Sequence, residues 1–179
     1  MNNVKNIIAK RRSIRKYKDK KVSSRLIKEI IDAARLAPSG HNDQPSRFYI
    51  VRNKKIKNKL KKNKVFERDF VYTAPVIIFC CGDMSVYSKE KSPCPEFDKS
   101  YMMRVNIDVS IAAQNLVLRA TELGLGTCYI GWMHGARAKK ALSINNKYVI
   151  PFAIALGYPD EKPKARPREK IEEILLSEL

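Results

Sequence analysis

Hydrophobic positions along this chain follow two rhythms, one suited to helices and one to strands. Val4, Ile7 and Ile8 stand at helical spacing and predict a short first helix over 4–10. Ser23 or Ser24 can cap a second helix carrying Leu26, Ile27, Ile30, Ile31, Ala34 and Leu36, which Pro38 ends. Phe48–Val51 reads as a strand and Lys54–Lys62 as a charged surface helix. The run Val76–Cys81 is apolar throughout, which predicts a strand covered on both faces. A long helix over 104–123 is apolar almost all round, a pattern that belongs in a core or across a subunit interface. Gly124 is placed to close that helix, with a third strand over 126–130. A short helix over 137–142, a strand over 148–156, an extended Pro-rich stretch over 158–168 and a final helix over 169–176 complete the series. The segment 85–99, with Ser92-Pro93-Cys94-Pro95, predicts a loop or lid. The alternation of helices and strands, without repeats or a linker, predicts a mixed α/β sandwich in a single domain, 1–179.

Composition narrows the function classes. With 179 residues, 44% hydrophobic and 30% charged, the chain has the make-up of an ordinary globular domain. Its longest apolar run, Ala74–Cys81, is far short of the roughly 20 residues a membrane helix needs. The first residues show no secretory pattern, so a cytoplasmic location is expected. Lys and Arg number 36 against 18 Asp and Glu, a net charge of +18. The basic residues are spread from Lys5 to Lys170 rather than gathered in a stripe, which weighs against nucleic acid and leaves room for a phosphate-bearing ligand. Cys80 and Cys81 should point to opposite faces of a strand, and Cys94 and Cys128 stand alone without zinc-type spacing, so reduced thiols and no metal are expected.

Four short constellations could carry chemistry. If the chain is extended after the first helix, Arg11, Ser13 and Arg15 share one side, as a phosphate and ribityl clamp requires; a plain basic cluster is the competing reading. Ala37-Pro38-Ser39-Gly40-His41-Asn42-Asp43-Gln44-Pro45 is dense in amides that can read a heterocycle edge, or is simply a loop closing a helix to a strand. Gly124-Leu125-Gly126 follows a helix and precedes a strand, the wrong order for a dinucleotide fingerprint. Gly131, just past the third strand, would let its backbone N–H approach a flat ligand. Lys164 and Arg166 share a face of an extended tail, where two cations can grip one phosphate or merely be solvated. No nucleophile–histidine set can be assembled around His41 or His134, and no carboxylate pair stands out. Phosphate clamps without acid–base machinery suggest that a cofactor does the chemistry.

Taken in order, R-R-S-I-R-K-Y, A-P-S-G-H-N-D-Q-P, D-V-S-I-A-A-Q-N-L-V-L-R-A-T-E-L-G-L-G-T-C-Y-I-G-W and L-G-Y-P-D-E-K-P-K-A-R-P-R resemble the FMN-dependent nitroreductase family over nearly the whole chain. The resemblance implies an α+β fold, a three-layer α/β/α sandwich with a mostly antiparallel central sheet, in an intertwined homodimer with FMN at the subunit interface. On this likeness Arg11, Arg12, Ser13 and Arg15 form the N-terminal flavin cluster. Pro38, Ser39, Gly40, Asn42 and Gln44 reach the flavin from the partner, Ile130 and Gly131 lie beside its ring, and Lys164 and Arg166 meet its phosphate. The implied activity is ping-pong reduction of nitro, quinone or enone acceptors by NADH or NADPH through flavin N5, with no catalytic acid or base from the protein. Tyr101, Met102, Met103 and Trp132 could shape the acceptor pocket or serve as packing. The sequence departs from the family at Ser46, where an aromatic is usual, and over Phe66–Phe70, which lacks the expected Asn and Lys. Competing functions are a non-catalytic flavin-binding or basic nucleic-acid-binding protein and a specialised relative such as a reductive dehalogenase, for which no long lid insertion is present.

Overall fold

The computed structural model describes residues 3–87 and 101–178. Helix α1 (Val4–Lys10) opens with the Asn3 side chain accepting from the Lys5 N–H. Helix α2 (Ser24–Arg35) opens with Ser23 accepting from the Leu26 N–H at 3.3 Å. There follow β1 (Ser46–Val51), α3 (Lys54–Lys62), α4 (Phe70–Thr73), β2 (Val76–Asp83), α5 (Tyr101–Glu122), β3 (Gly126–Ile130), α6 (Gly135–Leu142), β4 (Tyr148–Gly157) and α7 (Ile171–Ile174). The four strands form one sheet in the order β1-β2-β4-β3, antiparallel at every junction.

Period-two alternation in the two central strands builds the layers. On β2, Val76, Ile78 and Cys80 face α2 and α5, joining Ile154 and Leu156 of β4. The intervening Ile77, Phe79 and Cys81 face the other way, with Ala153 and Ala155, toward α3, α4 and α6. Two apolar cores thus share one sheet, giving the helix–sheet–helix sandwich, and every residue of β2 is buried. The two adjacent cysteines enter different cores, as alternation requires.

Most expected elements are present, with boundaries moved by pairing that hydropathy does not reveal. Strand β1 begins two residues before its apolar stretch because Ser46 pairs with Gly82, and β2 runs on to Asp83 opposite Tyr148. The one-turn α4 was not expected, and the terminal helix shrinks to four residues. Gly124 closes α5 at φ 73°. Of the expected lid, Ser85–Tyr87 continue from a short turn, and 88–100, with Cys94, lie outside the described residues.

Helix α5 is two-sided. Val105, Val109, Ala112, Ala113, Leu116, Val117 and Ala120 are buried, whereas Met102, Met103, Ile107 and Ile111 remain exposed on this chain. Exposed apolar residues also occur on α1 (Val4, Ile8) and along the tail (Ile171, Ile174, Leu175, Leu176). Among the described residues, no helix is long and apolar enough to cross a membrane.

Candidate functional site

The site begins where the chain leaves α1. From Arg11 the backbone is extended and runs along the free edge of β3: Ser13 bridges Thr127 in parallel, and the Ile14 N–H donates to the Thr127 carbonyl at 2.8 Å. Ile14 is buried against Gly126, which turns the neighbouring side chains the other way. Ser13, Arg11 and Arg15 accordingly lie close enough to Cys128 of β3 to act on its thiol, which itself donates to the Tyr129 carbonyl at 3.6 Å. Arg12 points elsewhere, its guanidinium donating to the carbonyls of Ala9 (2.5 Å) and Arg11 (2.8 Å) beside a separate hollow. Glu161 steadies the segment by accepting from the backbone N–H groups of Arg15 and of Lys16 (3.1 Å).

Past the end of β3 a cavity of 470 Å³ opens, lined by Arg15, Arg68, Phe70, Cys128, Tyr129, Ile130, Gly131 and Trp132. Burial raises the Cys128 thiol above its ordinary value, outweighing the lowering pull of Arg15, Ser13 and Arg11. It is therefore a neutral thiol near neutral pH and no nucleophile. Gly131 lies at the cavity with open space where a side chain would begin: a Cβ there would meet nothing within 4 Å. Packing among the described residues does not demand this glycine, whereas a ligand pressed flat against the backbone would.

The loop after α2 makes a second arrangement. His41, Asn42 and Gln44 all adopt positive φ (50°, 59° and 48°), a concentration of left-handed backbone that side chains rarely accept. The loop is held from within by the Gln44 N–H donating to Ser39 Oγ at 2.9 Å, and from outside by α5. Asp108, buried on α5, accepts from the Gly40 N–H (3.4 Å) and the Tyr87 hydroxyl (2.9 Å), and Arg104 pairs with Asp43 at 3.2 Å. Pro38, Ser39 and Gln44 line a hollow of 390 Å³ distinct from the Arg15–Gly131 cavity. Lys164 and Arg166 are exposed and line neither space.

Within one chain, then, the residues singled out from sequence form three groups: the edge of β3, the strained loop, and the tail. Trp132 lines the β3 cavity, whereas Met102 lies in a different hollow beside α6. Sequence reasoning missed Arg68, which enters the β3 cavity from the turn before α4, Phe70, which enters it from the first position of α4, and Asp108, which anchors the loop. Asp108 was legible as a carboxylate in the apolar body of the helix, well away from Glu122 at its end; Arg68, in a lysine-rich chain, carried no signal.

The sequence profile of the nitroreductase family matches residues 8–64 and 62–158. The chain belongs to the nitroreductase family. A relative from Methanothermobacter thermautotrophicus, named for NADH dehydrogenase and NAD(P)H nitroreductase activity, is 39% identical over 166 residues, covering 89% of this chain and 78% of that protein. Among solved structures, a nitroreductase-type protein of Desulfovibrio desulfuricans in complex with FMN superposes with a TM-score of 0.84 at 29% identity, over 100% of this chain and 98% of that one. The NADPH:FMN oxidoreductase of Vibrio harveyi, complexed with NAD+, gives 0.82 at 25% identity, over 99% and 77%. As a nitroreductase-family chain, this protein has the sandwich and the antiparallel sheet its motifs implied.

Proposed function

We propose that this chain is an NAD(P)H-dependent FMN oxidoreductase that reduces small acceptors of nitro, quinone or enone type, its 179 residues forming one FMN-binding domain. The observation that carries the reading is the cavity past β3, where Arg15 and the side-chain-free edge of Gly131 meet in a family whose relatives are named for flavin and nicotinamide chemistry. The residues fit the cofactor. Arg11, Ser13 and Arg15 offer two guanidinium forks and a hydroxyl on one side of an extended segment, suited to ribityl oxygens and the pyrimidine edge. Bound FMN supplies a two-electron carrier that accepts hydride from NAD(P)H and yields it to the acceptor.

The protein's own part is positioning and charge. The Gly131 N–H is the donor for the ring, and Arg15 provides positive charge where negative charge develops; an oriented donor in a dry site contributes about 3 kcal/mol. Ile130 borders the same ring, and no side chain is assigned as catalytic acid or base. Lys164 and Arg166 are assigned to the phosphate side; Arg12, expected in the N-terminal flavin cluster, has its guanidinium on the carbonyls of Ala9 and Arg11 instead.

The working unit is a homodimer with FMN at the interface. Exposed Met103, Ile107 and Ile111 on α5, Val4 and Ile8 on α1 and the apolar tail support this reading, because such patches on one chain mark surfaces that another chain covers. The separation of the strained loop from the β3 cavity supports it too: Pro38, Ser39, Gly40, Asn42 and Gln44 then serve the partner's flavin. Dependence on NAD(P)H fits a cytoplasmic setting. The test is the visible spectrum of the purified protein under anaerobic titration with NADH and with NADPH. A yellow protein that bleaches and recolours in air is expected; a colourless protein that refuses added FMN overturns the reading. Arg166→Ala should weaken FMN retention while leaving any nonspecific DNA binding unchanged, and unchanged FMN occupancy would remove the tail from the phosphate site.

A further inference from the structure

The β3 cavity holds a second arginine that the cofactor reading leaves without a task. Arg68 sits in the run Glu67-Arg68-Asp69, and its acidic neighbours are both engaged: Glu67 with His134 at 2.9 Å, and Asp69 with Lys61 at 3.0 Å. The Arg68 guanidinium has no hydrogen bond or ion pair among the described residues, and no carboxylate is among those lining the cavity. Its placement is nevertheless well determined. Phe66 bridges Met133, the His134 N–H donates to the Val65 carbonyl at 2.8 Å, and the Glu67–His134 pair closes the same junction. These three ties clamp 65–68 against 131–134 and so set Arg68 and Trp132 in one cavity.

Trp132 is the only tryptophan of the chain and is 76% exposed. With the half-buried Phe70 it supplies a second aromatic surface in the cavity. A guanidinium lining one cavity with two aromatic side chains is complementary to a flat ring bearing a carboxylate or sulfonate: the rings stack, and the planar fork of arginine meets two anionic oxygens at once. We propose that this cavity selects planar aromatic acceptors that carry an anionic substituent, with Arg68 pairing the anion and Trp132 stacking on the ring. The inference rests on the oxidoreductase reading above, which assigns Arg15 to the cofactor. The net charge of +18 favours the same ligands by drawing anions toward the chain from a distance.

Trp132 makes the test direct, since its fluorescence reports occupancy of the cavity it lines. Holoprotein is titrated with 4-nitrobenzoate and with its neutral counterpart 4-nitrobenzamide, following saturable quenching, and both are then assayed as acceptors with NADH. The anion should bind at least about tenfold more tightly. Arg68→Gln should erase that difference by weakening 4-nitrobenzoate alone, leaving 4-nitrobenzamide, FMN affinity and the rate of reduction by NADH unchanged; Arg68→Lys should restore part of it. Equal binding of the two probes by the unaltered protein overturns the proposal. So does an Arg68→Gln protein that loses FMN affinity, because Arg68 would then be a flavin contact. If the protein takes up no FMN, the oxidoreductase reading fails by itself, and the same quenching titration without FMN still decides whether Arg68 selects anions.

Discussion

Two glycines five residues apart, one opening β3 and one just past its end, answer to different demands. At Gly126, where β3 begins, a Cβ would lie 2.7 Å from Ile14 Cγ1, so the glycine exists to let the Arg11–Arg15 segment lie against the sheet. At Gly131, where the strand has ended, a Cβ would meet nothing within 4 Å. One glycine is explained by the fold and the other is not. The contrast separates framework from site within a single short stretch, and it teaches that an unexplained glycine at a cavity is as informative as a charged residue there.

The contrast is sharpest when each position is filled. Gly126→Val should cost about 3 kcal/mol of stability, since the buried Ile14 has no room to yield, and denaturant unfolding measures the loss. Loss of stability below about 1 kcal/mol would mean the edge segment is not packed as described. Arg15→Ala should do the reverse: an unchanged unfolding midpoint in the FMN-free protein, with FMN affinity reduced about ten- to a hundredfold, the range for hydrogen bonds to a charged group. Gly131→Val should lower FMN affinity about tenfold through close approach alone, again with stability untouched. A Gly131→Val protein that unfolds early would place that glycine with Gly126 and break the comparison.

The smallest effect is confined to the framework at the far end of β2. Burial by itself would raise the Asp83 carboxyl, but hydrogen bonds from Ser85 and Lys147 outweigh it and hold it at about 2, below its ordinary 3.8. A carboxyl whose folded value is depressed stabilises the fold fully above its unfolded value and loses that contribution as pH falls through the folded one. The stability difference between the protein and Asp83→Asn should hold steady from neutral pH down to about 4 and shrink toward pH 2. FMN affinity should not follow it, and parallel loss would tie Asp83 to the site.

Much of this was legible in the chain because local physics governs it. The apolar run at 76–81 could only be a strand covered on both sides, and Ser23 and Gly124 mark the ends of their helices by hydrogen-bonding and backbone preferences that operate over three or four residues. The alternation of Arg11, Ser13 and Arg15 was readable for the same reason and set Arg12 on the other side, where the structure has it, although the family likeness had grouped all four. Arg68 was invisible because nothing local distinguishes it from the other basic residues. Its place comes from the Phe66–Met133 bridge and the Glu67–His134 pair, contacts between segments more than sixty residues apart.

By itself, the sequence determined most of the elements, the two-faced core and the family, since periodicity, capping and ordered motifs are properties of neighbouring residues. The tertiary structure alone decided which charges converge. Antiparallel pairing in the order β1-β2-β4-β3 left the edge of β3 open for the 11–15 segment. A left-handed loop was docked on Asp108, and a turn before α4 was brought against the exit of β3. Such convergence depends on long-range burial and on contacts between distant segments, which spacing along a chain does not encode.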